Sequence, residues 1–165
     1  MTSELSIPIQ TAWLIPLYGF AGMVVALPWA CGWFRRQAHR AAAYLNILLT
    51  LLAFAHGSLI LQEVLRAGSV DLVFPWLTVA DLELDISFSL SLTNMVALEL
   101  ITGLSLFSQV YSLGYMDKEW ALARFFALLG FFEGAMSGVV LSDSLFQSYF
   151  LLEMLTLSTY LLVGF

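Results

Sequence analysis

Long runs of apolar residues, separated by short polar stretches, make up most of this chain. A helix that crosses a bilayer needs roughly 20 predominantly apolar residues, and five of the runs reach that length. The pattern predicts helices over about residues 11–34, 41–65, 89–114, 121–141 and 144–165. The predicted fold is therefore an all-α integral membrane protein with about five transmembrane helices.

One stretch departs from the helical pattern. In Asp81–Phe88 polar and apolar residues alternate strictly, which is the period of a half-buried strand. Leu72 and Phe74 indicate a partner strand upstream, with a turn near Ala80. We therefore predict a short β-hairpin over about residues 70–88, lying on the outer rim of the membrane domain.

Composition agrees with a membrane protein. Hydrophobic residues form 61% of the chain and charged residues 11%, whereas a soluble domain is roughly 45–50% apolar and about 25% charged. Six basic residues against twelve acidic ones argue against nucleic-acid binding. The sequence contains no Gly-rich phosphate loop, metal-ligand cluster or nucleophile–base pair, so we expect neither a metal site nor a self-contained catalytic site.

Basic residues are distributed unevenly among the predicted loops, and this predicts the orientation of the chain. Five of them flank loops on one side of the membrane, and only Arg66 lies on the other. The positive-inside rule places the five on the cytoplasmic or stroma-like side: Arg35, Arg36, Arg40, Lys118 and Arg124. The acidic hairpin then faces the opposite compartment.

The last apolar run, Ser144–Phe165, carries a single carboxylate, Glu153. An ionisable group at the centre of a spanning helix costs at least about 2.5–3.5 kcal/mol, so it marks a functional site by default. Tyr149, Glu153, Thr156 and Tyr160 follow the spacing of one helix face and form a polar stripe. We predict that Glu153 transfers protons, with the hydroxyls of Thr156 and Tyr160 beside it.

Glu99 and Glu133 lie inside two other predicted helices, and His56 lies inside a third. Counting residues from the outer surface predicts that Glu99, Glu133 and Glu153 share one layer, roughly 12–14 Å deep. We predict that all four residues take part in proton transfer. The alternative for each is a structural role as a hydrogen-bonded packing residue.

Gly130, Gly134 and Gly138 recur every four residues in the fourth predicted helix. Small residues at this spacing form a ridge on which membrane helices approach one another closely. We therefore assign these glycines to helix packing and not to chemistry.

The sequence resembles the N-terminal part of the antiporter-like subunit 5 of complex I, the large proton-translocating chain of respiratory NADH dehydrogenase and of photosynthetic NDH-1 complexes. Three stretches carry the resemblance: YSLGYM at Tyr111–Met116, ARFFALLGFF at Ala123–Phe132, and VLSDSLFQSYFLLEMLTLSTYLLVGF at Val140–Phe165. The resemblance implies that the chain forms the N-terminal part of a larger antiporter-like fold. It also implies that Glu153 is the key carboxylate of a proton half-channel.

The chain departs from the family pattern at some positions. Leu152 stands where the family usually has Trp, and Phe88–Ser91 reads FSLS where it usually has Asp-Gly-Leu-Ser. Glu99 and Glu133 are not family hallmarks. The form LLEMLTLSTYLLVGF, with Glu133 before it, is more similar to the cyanobacterial NDH-1 variants dedicated to carbon dioxide uptake, in which a carbonic-anhydrase-like peripheral subunit is a partner.

The resemblance implies a proton-translocating subunit of an NAD(P)H- or ferredoxin-linked (plasto)quinone oxidoreductase. Such a chain binds no cofactor itself, because the quinone and the iron–sulfur centres belong to other subunits. Its partners are those membrane subunits and the lipid bilayer. The expected location is the cyanobacterial thylakoid membrane, or otherwise a bacterial plasma membrane. Two alternatives stay open, an Mrp-type cation/proton antiporter subunit and a purely structural membrane subunit.

Overall fold

A computed structural model describes residues 6–33, 39–79, 82–116 and 121–165. Six helices and two strands follow one another along these ranges, and a short first helix precedes the longer ones. Their bounds are α1 Ile7–Gln10, α2 Leu14–Ala30, α3 His39–Ala67, β1 Val70–Val79, β2 Leu82–Leu90, α4 Leu92–Tyr115, α5 Leu122–Leu141 and α6 Leu145–Val163.

The predicted fold class is confirmed. By length and composition, α3, α4, α5 and α6 are able to cross a membrane, and α2 is a shorter apolar helix of 17 residues. The first predicted span, 11–34, is longer than the helix that forms. After Ala30 the chain turns through Gly32, whose φ of 79° lies in the left-handed region that favours glycine and ends the helix.

Helix α5 lies at the centre of the bundle and packs against α2, α3, α4 and α6. The closest approach is between α2 and α5, where a Cβ atom on Gly19 would lie only 2.3 Å from the backbone nitrogen of Gly134. A Cβ atom on Gly130 would lie 2.9 Å from the carbonyl oxygen of Gly19. The glycine ridge therefore packs helices, as its spacing predicts.

The hairpin is confirmed by an antiparallel pairing of β1 with β2, in which Leu72 pairs with Phe88 and both side chains are buried. A bulge interrupts the register between Pro75 and Leu77, where proline offers no N–H to the ladder. The predicted turn at Ala80 lies outside the described residues. The backbone N–H of Asp143 donates to the carbonyl of Ser87 (3.1 Å), so β2 is attached to the turn between α5 and α6.

We call the end of the bundle that carries the hairpin the outer end. An outer core of apolar side chains fills the bundle there, and it includes Ala53, Ile60 and Leu98. A separate inner core, made by Ala43, Met116, Leu122 and Phe126, lies towards the other end. Between these two cores the contacts of α3, α4 and α5 are polar.

Candidate functional site

Glu133 projects from the middle of α5 and is 1% exposed. Three side chains from two other helices donate hydrogen bonds to the same oxygen, Oε2. These are Thr50 Oγ1 on α3 at 2.6 Å, and Ser105 Oγ and Gln109 Nε2 on α4, each at 3.0 Å. A buried carboxyl group is thus bound by three donors, none of which is charged. We call these four residues the Glu133 cluster.

Gln109 and Thr50 are fully buried as well, with 0% and 1% exposure. Gln109 Nε2 also donates to Thr50 Oγ1 at 2.8 Å, so Thr50 accepts one hydrogen bond and donates another. The remaining polar atoms, Oε1 of Glu133 and Oε1 of Gln109, differ from Oε2 of Glu133. Among the described residues, neither Glu133 Oε1 nor Gln109 Oε1 has a hydrogen-bond partner, although both atoms are buried.

Helical spacing explains why these side chains meet. On α4 the buried positions are Met95, Leu98, Thr102, Gln109 and Ser112, which follow alternate steps of three and four or their sum. This spacing keeps one face of the helix against α3 and α5, and that face changes from apolar to polar after Leu98. On α3, Asn46 and Thr50 lie one turn apart and are both buried. Asn46 Nδ2 donates to the carbonyl of Phe126 at 2.8 Å, which joins α3 to α5 just below the cluster.

The Glu133 cluster lies between the two apolar cores. Towards the outer end, Ala53 lies three residues beyond Thr50 on α3 and Leu98 lies seven residues beyond Ser105 on α4, and both are fully buried. Towards the inner end, Phe126 of the inner core lies two turns below Glu133 on α5. Apolar core residues therefore lie on both sides of the cluster along the bundle.

Glu99 is partly buried and lies nearer the outer end. A Cβ atom on Gly57 would be 2.9 Å from Glu99 Oε1, which places this carboxyl level with Gly57 on α3. Glu133 is level with Thr50, which lies on α3 as Gly57 does. Thr50 and Gly57 are seven residues apart, so the two carboxyls differ in depth by about 10 Å along α3. The prediction of one layer is wrong for Glu99, because α5 ends lower than α4 begins and residue counts from the helix ends do not align the two carboxyls.

Glu153 lies on the exposed face of α6, together with the rest of its predicted stripe. Tyr149 and Tyr160 are 64% and 74% exposed. Tyr149 shares a side-chain hydrogen bond with Glu153, and Thr156 Oγ1 donates to the carbonyl of Leu152 on its own helix at 2.9 Å. These exposures are those of this chain by itself.

The packing of α6 on α5 nevertheless puts Glu153 close to Glu133 in depth. A Cβ atom on Gly138 would lie 3.0 Å from Leu151, and the rings of Phe125 and Phe165 lie 5.6 Å apart at the other end of the same antiparallel contact. This register sets Glu153 within about one turn, ~5 Å, of Glu133 along the axis of α5. The two carboxyls share a layer but belong to different faces of the bundle.

His56 lies at the outer end of α3, away from both carboxyls of that layer. Its Nε2 is 3.1 Å from the carbonyl oxygen of Pro8 and 3.2 Å from Thr11 Oγ1, and its ring contacts Tyr18 at 6.1 Å between centroids. Because a carbonyl oxygen only accepts, Nε2 carries the hydrogen in this contact. These contacts attach α1 and the start of α2 to α3.

The structure therefore separates the predicted proton-transfer residues into four places, and it adds two residues that sequence reasoning missed. Ser105 and Gln109 were not singled out, although Thr102, Ser105 and Gln109 follow i, i+3, i+7 spacing and so predict one polar face on α4. Within the ranges that the structure describes, no three His, Cys, Asp or Glu side chains lie together as metal ligands would.

Comparison with known proteins gives one family. Residues 76–126 match the family model described as NADH-ubiquinone oxidoreductase (complex I), chain 5 N-terminus. Over 167 residues, and all of this chain, the sequence is 70% identical to the NAD(P)H-quinone oxidoreductase subunit 5, organellar chromatophore 2, of Paulinella chromatophora. It is 29% identical over 160 residues to the chloroplastic subunit 5 of Chara vulgaris, and 34% identical over 125 residues to that of Chaetosphaeridium globosum.

The similarity covers only part of these relatives. The chain spans 27%, 24% and 18% of their respective lengths, while 100%, 94% and 76% of this chain is matched. The predicted resemblance to the N-terminal part of subunit 5 is confirmed over this region.

Proposed function

We propose that this chain, which is a relative of the N-terminal part of NAD(P)H-quinone oxidoreductase subunit 5, is a proton-translocating membrane subunit of such a complex. The observation that supports this most directly is Glu133, a carboxyl that is 1% exposed and bound by three uncharged donors among helices of membrane-spanning length. A titratable group in a dry interior is expensive to keep, and its usual use in membrane proteins is proton or ion transfer.

The cluster suits proton transfer because its donors are adjustable. The hydroxyls of Thr50 and Ser105 rotate, so each is able to donate to an ionised Glu133 and to accept from a protonated one. The Gln109 amide has both a donor and an acceptor end. Glu133 is therefore able to gain or lose a proton without leaving a charged partner behind.

We assign the exchange with the rest of a longer subunit to Glu153, with Thr156 and Tyr160 on the same stripe. Its carboxyl lies in the same layer as Glu133 and on the open face of α6. The relatives are about four times as long as this chain, so an open polar face is where further helices with titratable groups would need to pack. In this proposal Glu99 transfers protons nearer the outer end of the bundle. His56 takes part in proton transfer only if its contact with the carbonyl of Pro8 breaks.

The complex that we propose is an NAD(P)H- or ferredoxin-linked (plasto)quinone oxidoreductase, and its other membrane subunits are the partners of this chain. The quinone and iron–sulfur chemistry belongs to those subunits, since no residue here is assigned to a cofactor. The relatives named above are chromatophore and chloroplast proteins, which favours a thylakoid-type membrane for this one.

The experiment replaces Glu133 and Glu153 separately by Gln in the full-length subunit of the assembled complex. Each substitution keeps the shape of the side chain and removes the titratable group. We expect proton translocation in sealed vesicles to be almost abolished while the complex still assembles. Asp71→Asn is the matched control, because Asp71 is an exposed hairpin carboxylate whose bond from Ser89 an amide oxygen also accepts.

Two other outcomes would replace the proposal. If Glu133→Gln and Glu153→Gln prevent assembly and the small amount that does assemble pumps normally, the glutamates hold helices together and the subunit is structural. If vesicles show sodium-dependent proton movement without quinone reduction, the Mrp-type antiporter alternative is correct.

We further propose that the complex is the variant dedicated to carbon dioxide uptake, with a carbonic-anhydrase-like peripheral subunit as partner. The support is the resemblance of LLEMLTLSTYLLVGF, together with Glu133, to those variants. In a cyanobacterial host, loss of the gene for the full-length subunit is expected to impair growth in low carbon dioxide and to leave respiratory electron flow unchanged. The opposite pattern would assign the chain to the respiratory form.

A further inference from the structure

We infer that Glu133 binds its proton on Oε1 and that Gln109 Oε1 accepts the resulting hydrogen bond, directly or through one water molecule. Gln109 is then the residue that positions the proton. This inference deepens the proposed function and rests on it, because it names the atom that holds the proton during translocation.

The two oxygens of Glu133 have unequal hydrogen bonding. All three donors converge on Oε2, and Oε1 receives none from the described residues. Hydrogen bonds to one oxygen favour negative charge there and make it the poorer site for a proton. A proton that reaches this carboxyl therefore belongs on Oε1.

Two buried acceptor oxygens of the cluster receive no hydrogen bond from the described residues. Glu133 Oε1 and Gln109 Oε1 lie in side chains that are 1% and 0% exposed, and buried polar atoms are rarely left without a partner. Both belong to side chains joined by the 3.0 Å bond from Gln109 Nε2 to Glu133 Oε2. A single added proton satisfies both oxygens at once, because Glu133 then donates and Gln109 accepts.

A metal ion would not satisfy the same atoms. Calcium takes about 6–8 oxygen ligands and magnesium needs near-octahedral geometry. Among the described residues of the cluster, only Glu133 Oε1 and Gln109 Oε1 lack a hydrogen-bond partner, and the hydroxyls of Thr50 and Ser105 already direct their hydrogens at Glu133. The cluster therefore fits a proton, with room in its hydrogen bonding for a single bridging water.

No charged neighbour competes for this proton in the part of the chain that the structure describes. The groups that contact or approach Glu133 and the adjoining glycines are amides, hydroxyls and apolar atoms: Gly19 and Phe20 of α2, Asn46 and Thr50 of α3, Ser105 and Gln109 of α4, and Leu151 of α6. Of the carboxyl groups on the packed helices, Glu99 is about 10 Å away along α3, and Glu153 is within about one turn in depth but lies on the exposed face of α6. An ionised Glu133 would be an unpaired charge in a dry interior, which is costly.

Infrared spectroscopy of the assembled complex with the full-length subunit tests this inference. A protonated carboxyl has a C=O stretch that is distinct from those of amides and carboxylates. We expect Glu133→Gln to remove one such band, while Glu99→Gln leaves that band in place. We expect Gln109→Leu to move the band to higher wavenumber, because the acid loses both its acceptor and one of the donors to Oε2. Gln147→Leu is the control for removing a glutamine elsewhere, and it should leave the band unchanged.

The outcomes separate this inference from the proposed function. If no protonated-carboxyl band depends on Glu133 near neutral pH, the inference is overturned, even if Glu133→Gln still stops proton translocation. If the band is present but Gln109→Leu does not shift it, the proton is not held by Gln109 and the assignment of Oε1 fails. If the band behaves as expected and translocation survives Glu133→Gln, the inference stands and the proposed role of Glu133 in pumping fails.

Discussion

Two neighbouring helices, α5 and α6, each carry one glutamate in the same layer of the bundle, yet the surroundings of the two carboxyls are opposite. Glu133 on α5 is enclosed by donors from α3 and α4, whereas Glu153 on α6 lies on an exposed face beside Tyr149. Helix α5 contacts four other helices, and α6 contacts α5 and the hairpin region.

The difference shows that depth alone does not define a site. Glu133 has three donors to its Oε2 within this chain, so its role is testable by changing single partners. Glu153 has its partner, Tyr149, on its own helix, so any relay beyond Tyr149 depends on groups outside the residues described. If this contrast holds, substitutions on α5 and its partners disturb the site more than matched substitutions on α6.

The largest effect is expected where α5 touches α2. We predict that Gly19→Ala destabilises the assembled subunit by about 3 kcal/mol or more, the upper end of typical overpacking costs, because the added Cβ would lie 2.3 Å from the Gly134 nitrogen and 2.6 Å from its Cα, and these are backbone atoms of a packed helix. The readout is the amount and thermal stability of the complex. Gly114→Ala is the control, because nothing lies within 4 Å of its Cβ position and alanine favours the helix.

If Gly19→Ala assembles with unchanged stability, the close crossing of α2 and α5 is wrong. The position of Glu133 relative to α2 would then need revision, since the same crossing fixes how deeply α5 is buried.

The next effect is expected within the Glu133 cluster. Thr50→Val keeps the shape of the side chain but removes the 2.6 Å bond to Glu133 and the acceptor for Gln109 Nε2. We predict a loss of about 1–3 kcal/mol, which is the usual cost of leaving a buried polar partner unsatisfied. Thermal unfolding of the complex measures it.

Thr156→Val is the matched control on α6. Among the described residues its hydroxyl bonds to the carbonyl of Leu152 in the same helix and joins no two helices, so a change within about 0.5 kcal/mol is expected. Equal losses at Thr50 and Thr156 would contradict the contrast between the two helices.

The sequence alone was sufficient to predict the helices, the hairpin and the glycine ridge, because each of them follows a local period in the residue pattern. Hydrophobic length predicts a span, alternation predicts a strand, and Gly130, Gly134 and Gly138 predict close packing. The end of the first span was less predictable, since Cys31, Gly32 and Trp33 continue the apolar run after the helix has ended.

The site was predictable only in part. The pattern identified Glu133 as a buried carboxyl, but its partners depend on how far α3, α4 and α5 slide past one another, and no local period sets that. For the same reason the predicted depth of Glu99, in one layer with Glu133, was wrong. The spacing of Thr102, Ser105 and Gln109 does predict a polar face on α4 that includes Gln109. It does not predict which helix that face packs against.

A smaller effect is expected where the hairpin meets α6. The Ser87 N–H donates to Gln147 Oε1 at 3.0 Å, which ties β2 to the first turn of α6. We predict that Gln147→Leu costs about 1 kcal/mol and accelerates hydrogen exchange of the Ser87 amide in the intact complex. Gln62→Leu, at an exposed position of α3, should change neither. Unchanged exchange at Ser87 would mean that the hairpin is held by other contacts, such as the stacking of Trp76 on Phe146.

The smallest effect on stability is expected in the hairpin itself, which lies at the periphery of the α5 and α6 contacts. Ser89 Oγ donates to Asp71 Oδ1 at 2.8 Å across the strands, but the pair is exposed, so water replaces the bond readily. We predict that Ser89→Ala changes the stability of the complex by less than about 0.5 kcal/mol and leaves proton translocation intact. A larger loss would show that this cross-strand pair is covered in the complex, and the hairpin would then be part of an interface between subunits. That result would extend the contrast between the enclosed α5 and the open α6. The hairpin, like the open face of α6, would then be completed by contacts with other parts of the complex.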